Sequence, residues 1–296
     1  MTEFRLVIPV LNQRVVGLVG PPWQLSPDSA IETILDEDHA AILRDPPKGG
    51  GLGILITSKV FNIRVGGVKP THDEVLRIAA TSQFCLNYFA IEPGLAMSWG
   101  CIMAPGRRNQ MSVVDYFDLS MAPIASAATH RAFKFDKDIK RVSLSGMHTA
   151  STQALSKFPG AMMAMDRFCR ALSRDDKHDR LVDLCISLES LLDGNNELRF
   201  RFSQLHAMIG ESNLDRRIEI FKLFTDFYDA RSKVVHGDPN AGGKVAAIEL
   251  RWPELLGYAR KSLAYYLAFL SDNNREEWNQ HVKKICLGIE RPNVGE

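Results

Sequence analysis

The chain has 296 residues, of which 45% are hydrophobic and 24% charged, with Lys+Arg 36 against Asp+Glu 35 for a formal net charge of +1. This composition is that of an ordinary globular protein and excludes a disordered, collagen-like or coiled-coil chain. The near-zero charge also excludes a global field that would draw in nucleic acid or an acidic membrane, so a nucleic-acid role needs a local patch or a catalytic encounter.

Five cysteines, Cys85, Cys101, Cys169, Cys185 and Cys286, are scattered and never in C-x-x-C spacing. That argues against a disulfide framework and a structural zinc site. Cys169 and Cys185 sit in apolar helical patterns, where cysteine packs as a small core residue. Residues Met1 to Arg14 lack the basic and apolar regions of a signal peptide, and no stretch reaches the roughly 18 apolar residues of a membrane span. The expectation is a reduced, soluble, cytoplasmic protein with no membrane association.

The character of the chain changes near residue 155. In the first half, Phe4 to Leu11 and Gly53 to Thr57 read as strands, and Phe61 to Val65 alternates with period two. Pro21-Pro22, Pro46-Pro47 and Gly49 to Gly51 mark loops, a helix is predicted from Thr71 to Phe89, and Leu95 to Met103 reads as another strand. Residues 1–150 are therefore expected to form an α+β domain of unknown role, with sensing or partner binding as options.

In the second half the period is helical almost throughout. Met162, Met165, Phe168, Cys169 and Leu172 share one helix face, and Leu181, Leu184, Leu188 and Leu191 share the next. The run Asp175 to Asp179 reads as the cap of that second helix, and Asp193 to Asn196 as its stop. A third helix carries Leu198, Phe202, Leu205 and Ile209 with Gly210 as its end. A fourth carries the stripe Ile218, Phe221, Phe224, Tyr228, Arg231 and Val235, closed by Gly237 and Pro239. A fifth runs from Trp252-Pro253 through Leu256, Ala259, Leu263, Tyr266, Leu267 and Leu270. Such helices bury their stripes against one another, so residues 155–290 are expected to form a helical bundle of four to five helices, and the fold to be mainly α.

Several segments invite chemistry and are better read plainly. Lys48 to Gly53 has its lysine before the glycines and a strand pattern after them, the reverse of a phosphate loop. Asp36 to His39 reads as a solvated acidic turn. His130 and His148 lack ligands at metal spacing, His281 has only Glu277 four residues earlier, and Ser143, Ser145 and Ser190 lack a nucleophile elbow. No metal or other cofactor is expected.

Tyr228-Asp229-Ala230-Arg231-Ser232-Lys233-Val234-Val235-His236-Gly237 is different. Arginine, four residues and histidine is a weak pattern, which Arg201 to His206 matches equally. Context discriminates: Arg231 lies on the apolar side of its helix, where a guanidinium needs a partner or a cleft. His236 falls at the helix end.

The second half resembles a HEPN domain of the Apea-like branch. The resemblance rests on Asp179 to Leu192, which fits D-R-L-x-D-L-x-I-x-L-E-x-L-L, on Glu197 to Phe202, which fits E-L-x-x-R-F, and on Tyr228 to Gly237, which fits Y-x-x-R-S-x-x-V-H-G. It spans roughly residues 155–275 in order and spacing, and residues 1–150 resemble no family we can name. It implies a bundle that pairs as a homodimer and a metal-independent endoribonuclease of bacterial defence or toxin-like systems, with RNA as substrate and a regulatory or antitoxin partner as an option. Carried over, Arg231 and His236 would be the catalytic pair, with Ser232, Glu189 and Tyr228 supporting; Glu189 would orient Arg231. Lys233, Arg199 and Arg201 are candidates for RNA contact, and Arg216 and Arg217 could extend the patch.

The chemistry suits these residue types. RNA supplies its own 2′-hydroxyl nucleophile, so positioning, proton transfer and charge stabilisation suffice. Five residues of ideal helix, however, set Arg231 and His236 about 140° apart. A shared dimer groove would relieve that. The competing expectation is a non-catalytic bundle in which Arg231 pairs with Glu189 or Asp229 and His236 merely caps its helix, serving dimerisation, regulation or ligand binding.

Overall fold

A computed structural model describes residues 3–9, 15–16, 23–26, 29–33, 59–66, 69–92, 99–105, 111–118, 133–135, 141–194 and 197–292, with side chains for 69–85, 87–89, 145–194 and 197–292. The chain divides into two compact units, Met1–Thr149 and Ala150–Glu296. The readings at Gly53 to Thr57, Lys48 to Gly53, Asp36 to His39 and His130 lie outside the described residues.

In the first unit, strands β1 (Glu3–Pro9), β2 (Val15–Val16), β3 (Trp23–Ser26), β4 (Ser29–Thr33) and β5 (Lys59–Gly66) precede helix α1 (His72–Phe89), and β6 (Ala90–Glu92), β7 (Trp99–Pro105), β8 (Met111–Asp118) and β9 (Phe133–Phe135) follow it. Six strands form an antiparallel sheet in the order β3-β4-β5-β1-β7-β8, with Phe4 opposite Val65 in the β1–β5 register. β2, β9 and β6 form a smaller sheet. Thr71 starts α1 with a capping box: Glu74 N–H donates to Thr71 Oγ1 at 3.3 Å and Thr71 N–H donates to Glu74 Oε2 at 2.7 Å. α2 (Arg141–Lys157) runs across the boundary between the units.

The second unit is a helical bundle of α3 (Ala161–Ser173), α4 (Lys177–Glu189), α5 (Leu198–Gly210), α6 (Leu214–Val235), α7 (Ala241–Leu250), α8 (Trp252–Asp272) and α9 (Arg275–Cys286). Most of the predicted stripes of α3, α4, α5 and α8 is buried, with Met165, Phe168, Cys169 and Leu172, with Leu181, Leu184 and Leu188, with Phe202, Leu205 and Ile209, and with Leu256, Ala259, Leu263, Tyr266, Leu267 and Leu270, while Met162 and Leu198 are half-buried. Asp176 caps α4 by accepting from the N–H groups of His178 and Asp179, as the Asp175 to Asp179 run predicts. α7 and α9 are helices that the sequence pattern does not place.

Two details differ from expectation, each for a physical reason. Gly210 is the last residue of α5, with Glu211 as the cap, and it makes no left-handed turn; its place is one of close approach, where a Cβ would sit 3.0 Å from Tyr258 Cδ1. On α6 the core side is Ile220, Leu223, Phe224, Phe227 and Ala230, of which only Phe224 belongs to the predicted stripe. Ile218 stays 62% exposed and Val235 52% exposed, while Phe221, Tyr228 and Arg231 are half-buried. α6 is therefore apolar on two sides, and period alone picks the side that the bundle leaves partly open.

Buried charge is paired. Asp183, 3% exposed, bridges Arg167 at 2.7 Å and Arg174 at 3.2 Å, which ties α3 to α4. Arg180 pairs with Glu249 and lies over the Trp252 ring, joining α4 to the α7–α8 corner. The loop after α4 is pinned by donors reaching its carbonyls: Trp278 Nε1–H to Leu191 (2.6 Å), Arg275 Nη2–H to Leu192 (2.8 Å) and Arg201 Nη1–H to Asp193 (2.7 Å). Among the described residues no helix is long and apolar enough to cross a membrane.

Candidate functional site

α4 and α6 pack side by side and bring the ends of two sequence motifs together. Glu189, the last residue of α4, accepts from Arg231 Nη2 on α6 across 3.2 Å. Of the two partners weighed for Arg231, Glu189 is the one it takes; Asp229 pairs with Arg199 at 2.6 Å instead. The Arg231 guanidinium lies 5.9 Å from the Tyr228 ring centre, and that ring packs against Phe202 at 5.4 Å. Glu189, Tyr228 and Arg231 thus form one cluster.

Burial sets its electrostatics. The Glu189 carboxyl is pushed above its usual range by desolvation, and the Arg231 charge and a hydrogen bond from Tyr228 pull it partly back. The Tyr228 phenol is raised by burial and then by the nearby Glu189 charge. Cys185, one turn earlier on α4, is fully buried with its thiol pushed well up, again chiefly by burial. Such a thiol is a wall of the site and not a nucleophile. Arg231 spends Nη2 on Glu189, while its buried Nε has no hydrogen-bond partner. Glu189 Oε1 is likewise buried without a hydrogen-bond partner.

His236 stands apart from the cluster. It is the C-cap residue of α6, donates its N–H to the Ser232 carbonyl at 3.0 Å, and is exposed. No hydrogen bond or ion pair joins it to Arg231 among the described residues. Ser232 itself is half-buried on α6. The turn after His236 has Gly237 at φ +67°, a conformation that costs glycine nothing.

The second Arg/His match has a different fate. Arg201 is spent on the Asp193 carbonyl, and His206 is fully buried, with Nδ1 2.9 Å from Ser262 Oγ and its ring stacked 4.8 Å from Phe224. Burial lowers its pKa to about 3, so it is a neutral core histidine. Only exposure tells the two matches apart.

The basic residues around the site are already engaged: Arg199 with Asp229 at 2.6 Å, Lys233 with Asp238 at 2.7 Å, Arg216 with Glu219 at 2.6 Å, and Arg217 with the Glu211 carbonyl at 2.6 Å. Asp238 is a residue that motif reading misses, since its pairing with Lys233 depends on the geometry of the glycine turn between them. Ser190 donates to the Ser187 carbonyl at 2.6 Å and caps α4, and His148 is buried with its pKa lowered to about 4. Among the described residues no group of three or more His, Cys, Asp or Glu side chains could hold a metal ion. No protein-family model, no curated protein and no solved structure matches the chain.

Proposed function

We propose that the protein is a metal-independent endoribonuclease of the HEPN type, acting in bacterial defence or toxin-like RNA cleavage, with an Arg/His site completed across a homodimer. The observation that carries this reading is the pairing of Glu189 with Arg231 across 3.2 Å, a short way along α6 from an exposed, glycine-terminated His236. Arg231 keeps 23% of its side-chain surface exposed, and arginine's planar fork suits a phosphate's geometry. The 2′-hydroxyl attacks the adjacent phosphorus, the bond to the 5′-oxygen breaks, and a 2′,3′-cyclic phosphate and a 5′-hydroxyl result. Arg231 stabilises the charge on the phosphoryl oxygens, and His236 moves the proton from the nucleophile or to the leaving oxygen. Glu189, buried and held between Arg231 and Tyr228, orients the guanidinium.

The homodimer is supported by the second apolar side of α6. Leu214, Ile218, Phe221, Tyr228 and Val235 fall on one heptad-like stripe, and Leu214, Ile218 and Val235 are each more than half exposed. Pairing along that stripe would bring Arg231 and His236 of two chains toward one groove and offset their angular separation on a single helix.

A second reading, a non-catalytic dimerisation, regulatory or ligand-binding module, is favoured by the pairing of Arg231 with Glu189 and the place of His236 as the cap of α6, both of which it expects, and by the state of the basic residues. Each basic residue near the site already has an acceptor within the chain, so a ready-made polyanion groove is lacking in the single chain among the described residues. The experiment that separates the two is cleavage of a labelled RNA pool in EDTA by wild type, Arg231→Ala and His236→Ala. The nuclease reading expects 2′,3′-cyclic phosphate ends from wild type and a loss of about 100-fold or more in each variant. Cleavage that persists in both variants overturns the assignment of the site.

A further inference from the structure

The turn that carries His236 is held by more than its backbone. α6 ends in a paired-loop motif in which Gly237 N–H donates to the Val234 carbonyl at 3.2 Å and Asp238 N–H to the Lys233 carbonyl at 2.9 Å. Over this, Lys233 Nζ donates to Asp238 Oδ2 at 2.7 Å, and Asp238 Oδ1 accepts from Asn240 N–H at 2.8 Å. Residues 233 and 238 are thus tied twice, once by main chain and once by side chain, and His236 lies between the ties.

We propose that Lys233 and Asp238 are a positioning pair for His236: the ion pair closes the turn that sets where the imidazole points, and Lys233 is not a phosphate contact. The proposal rests on the nuclease reading above. Three features argue for it. Lys233 and Asp238 keep 34% and 31% of their side-chain surface exposed, and a pair so placed contributes little to global stability. What such a pair can do is narrow the conformations of the short segment it spans. Beyond its main-chain bonds little packs on the segment, since His236 is exposed and a Cβ at Gly237 would meet nothing within 4 Å. Finally, general acid–base catalysis depends steeply on placement, so a fixed turn matters more for rate than for folding.

A phosphate contact and a positioning pair make opposite predictions. If Lys233 bound phosphate, Lys233→Met would raise KM and reduce the slope of log affinity against log salt by about one, and Asp238→Asn would free the cation and tighten binding. If the two residues position His236, Lys233→Met and Asp238→Asn each lower kcat by about tenfold at unchanged KM and salt slope, and Lys233→Arg, which keeps the pair, stays within about twofold of wild type. The companion measurement needs no RNA: amide hydrogen exchange at Gly237 and Asp238 accelerates in Lys233→Met and Asp238→Asn and not in Lys233→Arg, with the rest of α6 unchanged. Unchanged exchange at both amides in Lys233→Met overturns the positioning pair, whatever the protein does to RNA. A wild type inert on RNA with loosened amides in both variants overturns the nuclease reading instead and leaves the pair as the device that orients His236.

Discussion

Two parts of the bundle use nearly the same residue types to opposite ends. At the α8–α9 corner, His281 accepts from or donates to Tyr265 Oη through Nε2 at 2.7 Å and donates from Nδ1 to Glu290 at 2.6 Å, while Lys284 donates to the other Glu290 oxygen at 2.7 Å. The imidazole stacks 4.6 Å from Phe269 and is only 14% exposed on its side chain. At the α4–α6 face, Tyr228, Glu189, Arg231 and His236 supply again a phenol, a carboxylate, a cation and an imidazole. There the imidazole is exposed and Arg231 Nε is buried without a partner. The first set spends its phenol, imidazole, carboxylate and ammonium on one another; in the second, Arg231 Nε and Glu189 Oε1 are buried without partners and His236 lies in solvent, where the proposed function would have it meet RNA.

The sharpest way to break that contrast is to remove each histidine in turn. His281→Ala deletes two hydrogen bonds and a stacked ring, and costs roughly 3 kcal/mol of unfolding free energy by chemical denaturation. On the proposed function, its RNA cleavage per folded molecule stays at the wild-type level. His236→Ala does the reverse: cleavage is lost while stability moves by less than about 0.5 kcal/mol, as for other exposed positions free of special contacts. Equal stability losses in the two variants would show that the α4–α6 set is scaffold too.

How much of this is legible in the sequence differs by element. Where a helix has one apolar side, as in α3, α4, α5 and α8, the spacing names the buried residues directly. α6 defeats the same reading because it is apolar on two sides, and Phe224, which the stripe shares with the true core, cannot say which one the bundle takes. α7, Ala-Gly-Gly-Lys-Val-Ala-Ala-Ile-Glu-Leu, buries only Ala241, Val245 and Ile248, too sparse a pattern beside two glycines. α9 is mostly polar, and its three buried residues Trp278, Val282 and Ile285 are recognisable as a helix mainly through the Asn274–Glu277 capping box. At the site, the Glu189–Arg231 pair is within reach of motif spacing. The Lys233–Asp238 tie is not, because its geometry depends on the glycine turn between them.

His206 offers a test of intermediate size. Its pKa is about 3 in the folded protein because burial disfavours the cation, against an ordinary 6.5 when unfolded. Above pH 6.5 it is neutral in both states and contributes no pH dependence. As pH falls from 6.5 toward 3, the unfolded chain binds a proton that the folded one refuses, so stability falls by up to about 1.4 kcal/mol per unit, or about 2 kcal/mol by pH 5. His148, lowered to about 4 for the same reason, adds a similar slope over its narrower range. Denaturant titrations between pH 7 and 4.5 should show His206→Gln less stable at pH 7 yet with a slope shallower by about one proton. An unchanged slope would mean that this histidine charges freely in the native state, and the line between a buried match and an exposed one would fail.

The smallest effect bears most closely on the turn itself. Gly237 sits at φ +67°, and a Cβ there would meet nothing within 4 Å, so Gly237→Ala meets no steric obstacle and its cost is conformational alone, about 1 kcal/mol. At Gly210, by contrast, the added methyl would have to displace Tyr258, 3.0 Å away, so the same substitution tests packing and not backbone. If His236 works through its position, Gly237→Ala lowers cleavage by more than its small loss of stability accounts for, because the strained residue follows the histidine directly and shares its paired-loop turn. Gly210→Ala lowers stability and leaves the cleavage of the folded fraction intact. Cleavage that tracked stability alone in both variants would place the turn with the scaffold, beside the His281 corner, and not with the site.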